Sequence, residues 1–368
     1  MATLGDGGAP SQNTVNYDAL LSTTLDGYRN TMYDNIFKDS AFMAALREFD
    51  GVKRQNGGER ISMPLMYGTS SSVKSYQCYE VIDTTPQDGM TTAFYEWKEI
   101  AGTISISRKE QRQNSGEAKL LDLLQQKTIQ AEMSMREELN RQLLAGTVDS
   151  ATFVPGNDAK DMNPLGWFLR KLNATDPTTG GNVGNISSAD NDWWRHKTAV
   201  ADAGSPGDTG NDFALNVSTF AGLKVAMRRM HNHCTRGSGG GPNLVVCDQV
   251  TYESYENALD VNIRFQNTRL GDLGFDTVKL KNAEVIWDEV VPSIDEGTLA
   301  SSDGTAFFLN TKFMKLCIDS ETDVVTTPFI EPQDQTAKTA KILFMGNMAC
   351  SNLRKQGVLY AVLETMVA

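Results

Sequence analysis

Apolar and polar positions recur with different periods in different stretches of the chain, and each change of period marks out a part. Residues 1–16 are polar and glycine-rich, with too little apolar surface to offset the entropy of ordering, and read as a flexible arm. From Asn16 to Asp50 apolar residues fall at mixed spacings, with Phe42, Leu46 and Phe49 at helical intervals, which predicts short helices. Between Glu59 and Lys109 the pattern shifts to alternation. RISMPLMYG is followed by a Ser- and Tyr-rich excursion, the turn-rich TTPQDG, and FYEWKEIAGTISIS. This predicts a ribbon with two legs of about 20 residues, reaching on the order of 65 Å at ~3.3 Å per residue. A two-stranded ribbon is marginal alone in water, so it must lie on something, either a neighbouring subunit or its own domain.

A long amphipathic helix is predicted from about Ser115 to Ala145. Asn114 is placed to cap it with Glu117 three residues on, and Gly146 to end it. Leu120, Leu124, Ala131, Met135, Leu139 and Leu143 form its apolar stripe. Residues 146–215 are dense in Gly, Asn and Asp around two apolar islands, GWFLRKL and DWWRHKTAV, and read as long surface loops of the contact-making kind. Trp193 and Trp194 are adjacent, so one packs inward and the other against a neighbouring element. Ser218 to Asn232 is amphipathic, with Phe220, Leu223, Met227 and Met230 on one stripe. NLVVCD then reads as a buried strand and TYESYENALD as a helix. VKLKNAEVIWD, TAFFLNTKFMKLCID and KILFMGNMACSNLRKQGVLYAVLE are strand-rich, so the fold class is α+β.

Composition narrows the function. Lys and Arg number 34 against 46 Asp and Glu, giving a formal charge of −12, which argues against an electrostatic clamp on nucleic acid. No stretch approaches the ~20 apolar residues of a membrane helix, and the start has no basic or apolar leader pattern. The five cysteines are scattered, without a CxxC pair, and read as reduced thiols.

Catalytic chemistry is poorly supplied. There are three histidines, His196, His231 and His233. His231, His233 and Cys234 could offer metal ligands to a metal-dependent enzyme, but alternate residues on a helix diverge by about 200° and no second ligand group follows at zinc-finger spacing. GSGGGPN at 237–243 follows a helix and precedes a strand, the reverse of a phosphate loop, so a helix-terminating loop is the better reading. Lys224, Arg228, Arg229 and Arg236 could touch phosphate, though a solvated helix face is the default. Asp288, Glu289, Asp295 and Glu296 are grouped without any sign of a shared cleft. No catalytic residue, cofactor or metal is expected.

Several strings carry a family resemblance: NTVNYDALLSTTLDGYRNTMYDNIF, GGERISMPLMYG, TTAFYEWKEIAGTISISRKE, AEMSMREELN, LNTKFMKLCID and ILFMGNMACSNLRKQGVLY. With the order of elements, they resemble the tailed-bacteriophage major capsid proteins of the Hong Kong 97-type shell fold, over nearly the whole chain. The resemblance implies an N-terminal arm with short helices at 1–54 and an extended loop at 55–108. It implies a peripheral domain at 109–217 with its spine helix at about 115–145, an axial domain at 218–350, and a returning C-terminal strand at 351–368. It implies self-assembly into pentamers and hexamers of an icosahedral head, formed in the host cytoplasm and becoming the virion, that encloses double-stranded DNA without sequence-specific binding. Expected partners are further copies of the chain, a separate scaffolding protein, a portal and a possible decoration protein, with no membrane. Contacts to neighbouring copies are expected from Met63, Leu65, Tyr67, Tyr76, Tyr79, Phe94, Tyr95 and Trp97. The cross-linking chemistry of some relatives is not carried onto Lys74 or Lys98, because no partner signature matches. An encapsulin-like compartment holding cargo enzymes is the alternative within the same fold.

Overall fold

A computed structural model describes residues 40–82, 84–113, 123–145, 147–149, 152–154, 159–169, 182–188, 190–201, 213–215, 217, 219–259, 277–292, 304–332 and 336–362. The arm, the helices expected before Ser40, Leu120, Gly146, Asp295 and Glu296 lie outside these residues, as does the side chain of Leu124. The chain forms two compact units. One comprises Met1–Lys38, Ala101–Arg136 and Val324–Leu343; the other comprises Asp39–Ile100, Glu137–Asp323 and Phe344–Ala368.

In the smaller unit, Ile104 and Ile106 alternate inward on the strand that ends at Ser107. Ser107 then opens the short helix Arg108–Gln113 by a reciprocal capping pair: the Glu110 amide donates to its hydroxyl and its own amide donates to the Glu110 carboxylate, each at 3.2 Å. Lys127 joins this corner, donating to the same carboxylate at 3.2 Å and to the Ser105 carbonyl at 3.3 Å. Val325–Thr326 pairs antiparallel with Ile342–Leu343, and Ile330 bridges Thr339.

The larger unit is built on a mixed seven-stranded sheet, ordered Phe213–Ala214, Lys197–Val200, Gly357–Val362, Gly304–Leu309, Leu244–Cys247, Ala283–Trp287 and Val278–Leu280. The helices Phe220–Thr235 and Gln249–Ala258 pack on it. Met227, Met230, Val245, Val285, Phe308 and Leu359 are fully buried in the shared core. Each helix follows a side-chain cap: Thr219 accepts from the Gly222 amide, and Asp248 from the Thr251 amide. Asp248 also accepts from the Thr305 amide, tying the second helix to the neighbouring strand, and burial raises its pKa. Elsewhere in this unit Met314–Asp319 lies between Val52–Gln55, parallel, and Gly346–Cys350, antiparallel.

The boundaries expected at 217 and 351 do not follow the strand pairing. Lys197–Val200 and Gly357–Val362 are neighbours in the same sheet as the central strands, because hydrogen bonds between residues 160 positions apart close it. The strand Ala337–Cys350 belongs to a different sheet from Gly304–Leu309.

The long helix is described over Leu123–Leu144. Met135, Leu139 and Leu143 are buried, as the stripe requires, and Ala131 is half-buried. Its last turns are fixed in the larger unit by polar contacts. The Gln142 side-chain oxygen accepts from the Met162 amide at 3.2 Å, and Arg141 forks onto Glu138 at 2.5 and 2.8 Å. The Arg141 hydrogen bond holds the Glu138 carboxyl below its ordinary pKa. Asn140 donates to both oxygens of buried Asp288 at 3.2 Å and accepts from the Ser40 hydroxyl at 2.7 Å. Asp288, one of the grouped acids, is therefore a structural anchor.

Leu139→Asp is expected to abolish cooperative unfolding, since an unpaired charge at a 2% exposed position costs more than about 4 kcal/mol. Arg136→Ala, one turn earlier and exposed, is expected to stay within about 0.5 kcal/mol in the same denaturant titration.

Candidate inter-subunit surface

The extended loop is a ribbon with a buried foot and a bare tip. Ile61–Met66 and Met90–Tyr95 pair antiparallel over six residues, from Ile61·Tyr95 to Met66·Met90. The ladder is much shorter than the twenty-residue legs expected, and Lys98–Ser107 is a separate strand that does not pair with Ile61–Met66. Alternation stops at Gly68 on one leg and begins only at Met90 on the other, so the Ser-rich and turn-rich stretches between cannot extend the ladder.

Along the ladder the inward face is Ile61, Met63, Leu65, Ala93 and Tyr95, all buried. Tyr95 donates to the Cys350 carbonyl at 2.7 Å. Burial, then the charge of Cys350, pushes the Tyr95 phenol well above its ordinary pKa, and burial pushes the Cys350 thiol up to about 12. The Phe94 amide donates to Gly184 at 3.1 Å, fastening the outer edge of the ribbon to the turn between Asn182–Val183 and Ile186–Ser187. Trp97 donates from its indole to Gly58 at 2.9 Å, closing the foot. Beside it, Lys98 is held by the Ala159 carbonyl at 2.6 Å and by Glu96 at 3.6 Å.

The ribbon narrows above the ladder. Gly68 and Gly89 face each other so closely that a Cβ on Gly68 would stand 3.1 Å from the Gly89 Cα, and the Tyr67 amide donates to Gly89 at 3.0 Å. Tyr67 stacks on Trp193 with ring centroids 4.8 Å apart at 15°. Trp194 turns the other way, fully buried, its indole donating to Val183 at 2.9 Å. The adjacent tryptophans thus divide, Trp194 in the core and half-buried Trp193 bracing the neck.

Beyond the neck, residues 69–82 and 84–88 carry exposed apolar side chains. Val73 is 84% exposed, Tyr76 68%, Tyr79 fully and Val81 87%. Cys78 stands among them and is the one exposed thiol of the five. Lys74 is also on this segment and exposed.

The eight residues expected to touch neighbours therefore separate. Met63, Leu65 and Tyr95 are committed to the chain's own core and cannot reach a second copy, because period-two alternation sends them inward at the foot. Tyr67 and Trp97 are engaged at neck and foot, and Phe94 is 42% exposed on the outer face. Tyr76 and Tyr79 alone of the eight stand on the tip. Met66 and Met90, exposed at the last ladder pair, and Val73, Val81 and Ile82 were not singled out from sequence. The alternation of ISMPLM signals Met66; nothing periodic signals the other four.

The metal reading does not assemble. Cys234 lies in the apolar core with its sulfur 3.9 Å from that of Met230. His231 turns toward Thr235, and burial lowers its pKa. Among the described residues no three His, Cys, Asp or Glu side chains are grouped to hold a metal ion. The glycine run after this helix is a terminator, with Gly237, Gly239 and Gly240 at positive φ. No described helix is long and apolar enough to cross a membrane.

Neither a protein-family model nor a curated protein sequence matches the chain. Solved structures do. The chain is similar to the capsid asymmetric unit of cyanophage A-1(L), at 13% identity and a TM-score of 0.64, covering 90% of this chain and 95% of that one. It is similar to that of cyanophage Pam1, at 11% and 0.55 over 91% and 96%. It is also similar to the capsid of a native GTA particle, at 13% and 0.51 over 91% and 96%. At these identities the likeness establishes the fold. This is an α+β chain with the Hong Kong 97-type architecture of tailed-phage capsid subunits.

Tyr95→Phe is expected to lower stability by about 1–3 kcal/mol through the unpaired Cys350 carbonyl, measured by denaturant unfolding. Because the folded phenol's pKa is raised, its contribution is complete below the unfolded value near 10 and is lost as pH rises past it. The wild-type chain should therefore lose more stability above pH ~10 than the variant.

Proposed function

We propose that this chain is the major capsid protein of a tailed phage, assembling with copies of itself into pentamers and hexamers of an icosahedral head that encloses double-stranded DNA. The observation that carries the reading is the ribbon. Its foot is locked into its own body and its tip presents Val73, Tyr76, Tyr79 and Val81 beyond it. A projecting apolar tip on a pinned stem is suited to a heterologous contact, in which one surface of a copy meets a different surface of the next and repetition closes rings. Each such contact can be modest because many act together, which lets misplaced copies dissociate before a shell closes. The similar structures, capsids of cyanophages and of a GTA particle, support the same reading. A shell subunit requires no catalyst, in keeping with the structural employment of Asp288, His231 and Cys234. Scaffold, portal and decoration partners belong to this proposal as components of such a head, as does assembly in the host cytoplasm.

The test is removal of the tip alone. Gly68 and Gly89 already meet, so residues 69–88 can be replaced by a two-residue Asn-Gly turn without disturbing the buried foot. The shortened chain is expected to keep its thermal midpoint within a few degrees yet yield no closed particles by negative-stain microscopy, with or without a co-expressed scaffold. Closed particles of normal size from that chain would overturn the role given to the tip. Particles from the intact chain that hold protein cargo and never nucleic acid would favour the compartment reading instead.

A further inference from the structure

The Phe220–Thr235 helix is sharply divided. One side is buried through Leu223, Met227, Met230 and Cys234; the other exposes Val225, Arg228, Arg229, Asn232 and, just past the end, Arg236, with Lys224 half-buried at its edge. At 100° per residue Lys224, Arg228, Asn232 and Arg236 advance only 40° per step, so the three cations form one row, ~18 Å long at 1.5 Å per residue. No acidic residue occurs from Phe213 through Cys247.

Elsewhere in this acidic chain exposed Arg54 has Asp323 beside it, and half-buried Arg195 and Lys315 have Asp192 and Asp50. Among the described residues, no carboxylate lies within ion-pair distance of Lys224, Arg228 or Arg236. Lys281 adds a fourth positive charge at the row, donating to Asn232.

The end of the helix is prepared in the same sense. Bare C-terminal carbonyls would repel an anion, but buried Lys355 donates to those of Thr235, Arg236 and Gly237 at 3.2, 3.0 and 3.2 Å. Desolvation lowers the Lys355 pKa while these carbonyls supply its partners. The glycine loop that follows is exposed, and Gly240 has open space where a side chain would stand, so a bulky backbone can approach it.

We propose that this row, Lys224, Arg228 and Arg236 with the 237–241 loop, is a contact site for the phosphate backbone of duplex DNA. The inference deepens the shell reading by naming which face of the subunit meets enclosed duplex. A polyanion fits better than a protein neighbour because the face lacks the large apolar side chains of an interface core; its exposed apolar residues are Ala221 and Val225. Three phosphate contacts on a chain of net charge −12 make a weak, sequence-independent hold, enough to order packed duplex against a wall and easily released.

The experiment measures binding of a fluorescent random-sequence 30-base-pair duplex to the full-length chain by anisotropy across a salt series. Two triple variants are compared with the wild type: Lys224→Gln with Arg228→Gln and Arg236→Gln, and a control removing the same charge from exposed positions elsewhere, Lys53→Gln with Arg136→Gln and Lys341→Gln. Wild-type affinity is expected to fall roughly 40-fold between 50 and 200 mM salt, and the row variant's slope of log affinity against log salt to be shallower by about 2.7. The control is expected to keep the wild-type slope. Equal losses in both triples, no wild-type binding at low salt, or a row variant that binds duplex normally but no longer associates with its own copies would each overturn the proposal. Particle formation is scored in parallel by microscopy. Intact particles with unchanged duplex binding sink this inference alone, whereas row-dependent binding without particles sinks the shell reading alone.

Discussion

A two-stranded ribbon cannot specify its own direction, and in this chain the direction is set by burying one face of its foot. Tyr95 is part of that burial, and its hydroxyl donates to the carbonyl of Cys350 at the end of a strand. Ile61, Met63, Leu65 and Ala93 exclude water from the rest of the inward face. The stem then leaves the body along one line, with the Tyr67–Trp193 stack as a brace at the neck. Had the foot been loose, the tip would sample many orientations, and each contact with another copy would bear the entropy of choosing one.

The two ends of the chain's chemistry are arranged to opposite purposes. Apolar exposure is concentrated at the ribbon tip. On the Phe220–Thr235 helix and its end, Lys224, Arg228 and Arg236 share one row although the whole chain is acidic. Lys355 links this helix to the strand that follows it in the sheet: the same ammonium that seals the helix end stands two residues before Gly357. A single lysine thereby fixes both the electrostatics of the helix terminus and its seat on the core.

Much of the architecture is legible in the residues because local periodicity and core burial agree. The alternation in ISMPLM, the stripe Met135, Leu139 and Leu143, and the fully apolar LVVC each predict the element observed. Two things are not legible. Strand partners far apart in sequence, such as Lys197–Val200 beside Gly357–Val362, leave no local trace, so domain limits drawn from changes of composition cut through a sheet. The candidate surface is legible only in part. Aromatic residues in the loop stand out by type, but whether Tyr95 or Tyr79 is the exposed one depends on which lies in the ladder and which beyond the glycine neck. That is a matter of register, and the pairing that fixes it is non-local.

Of five thiols, four are sealed in the body, and Cys78 stands among the bare side chains of the tip. Each copy therefore offers a maleimide dye one address, at the most outlying part of the ribbon. A label attached there would sense water in the free molecule and a changed environment wherever another surface closes over it. Cys78 thus serves as a built-in optical probe of whatever covers the tip, needing no engineered cysteine and no change to the core.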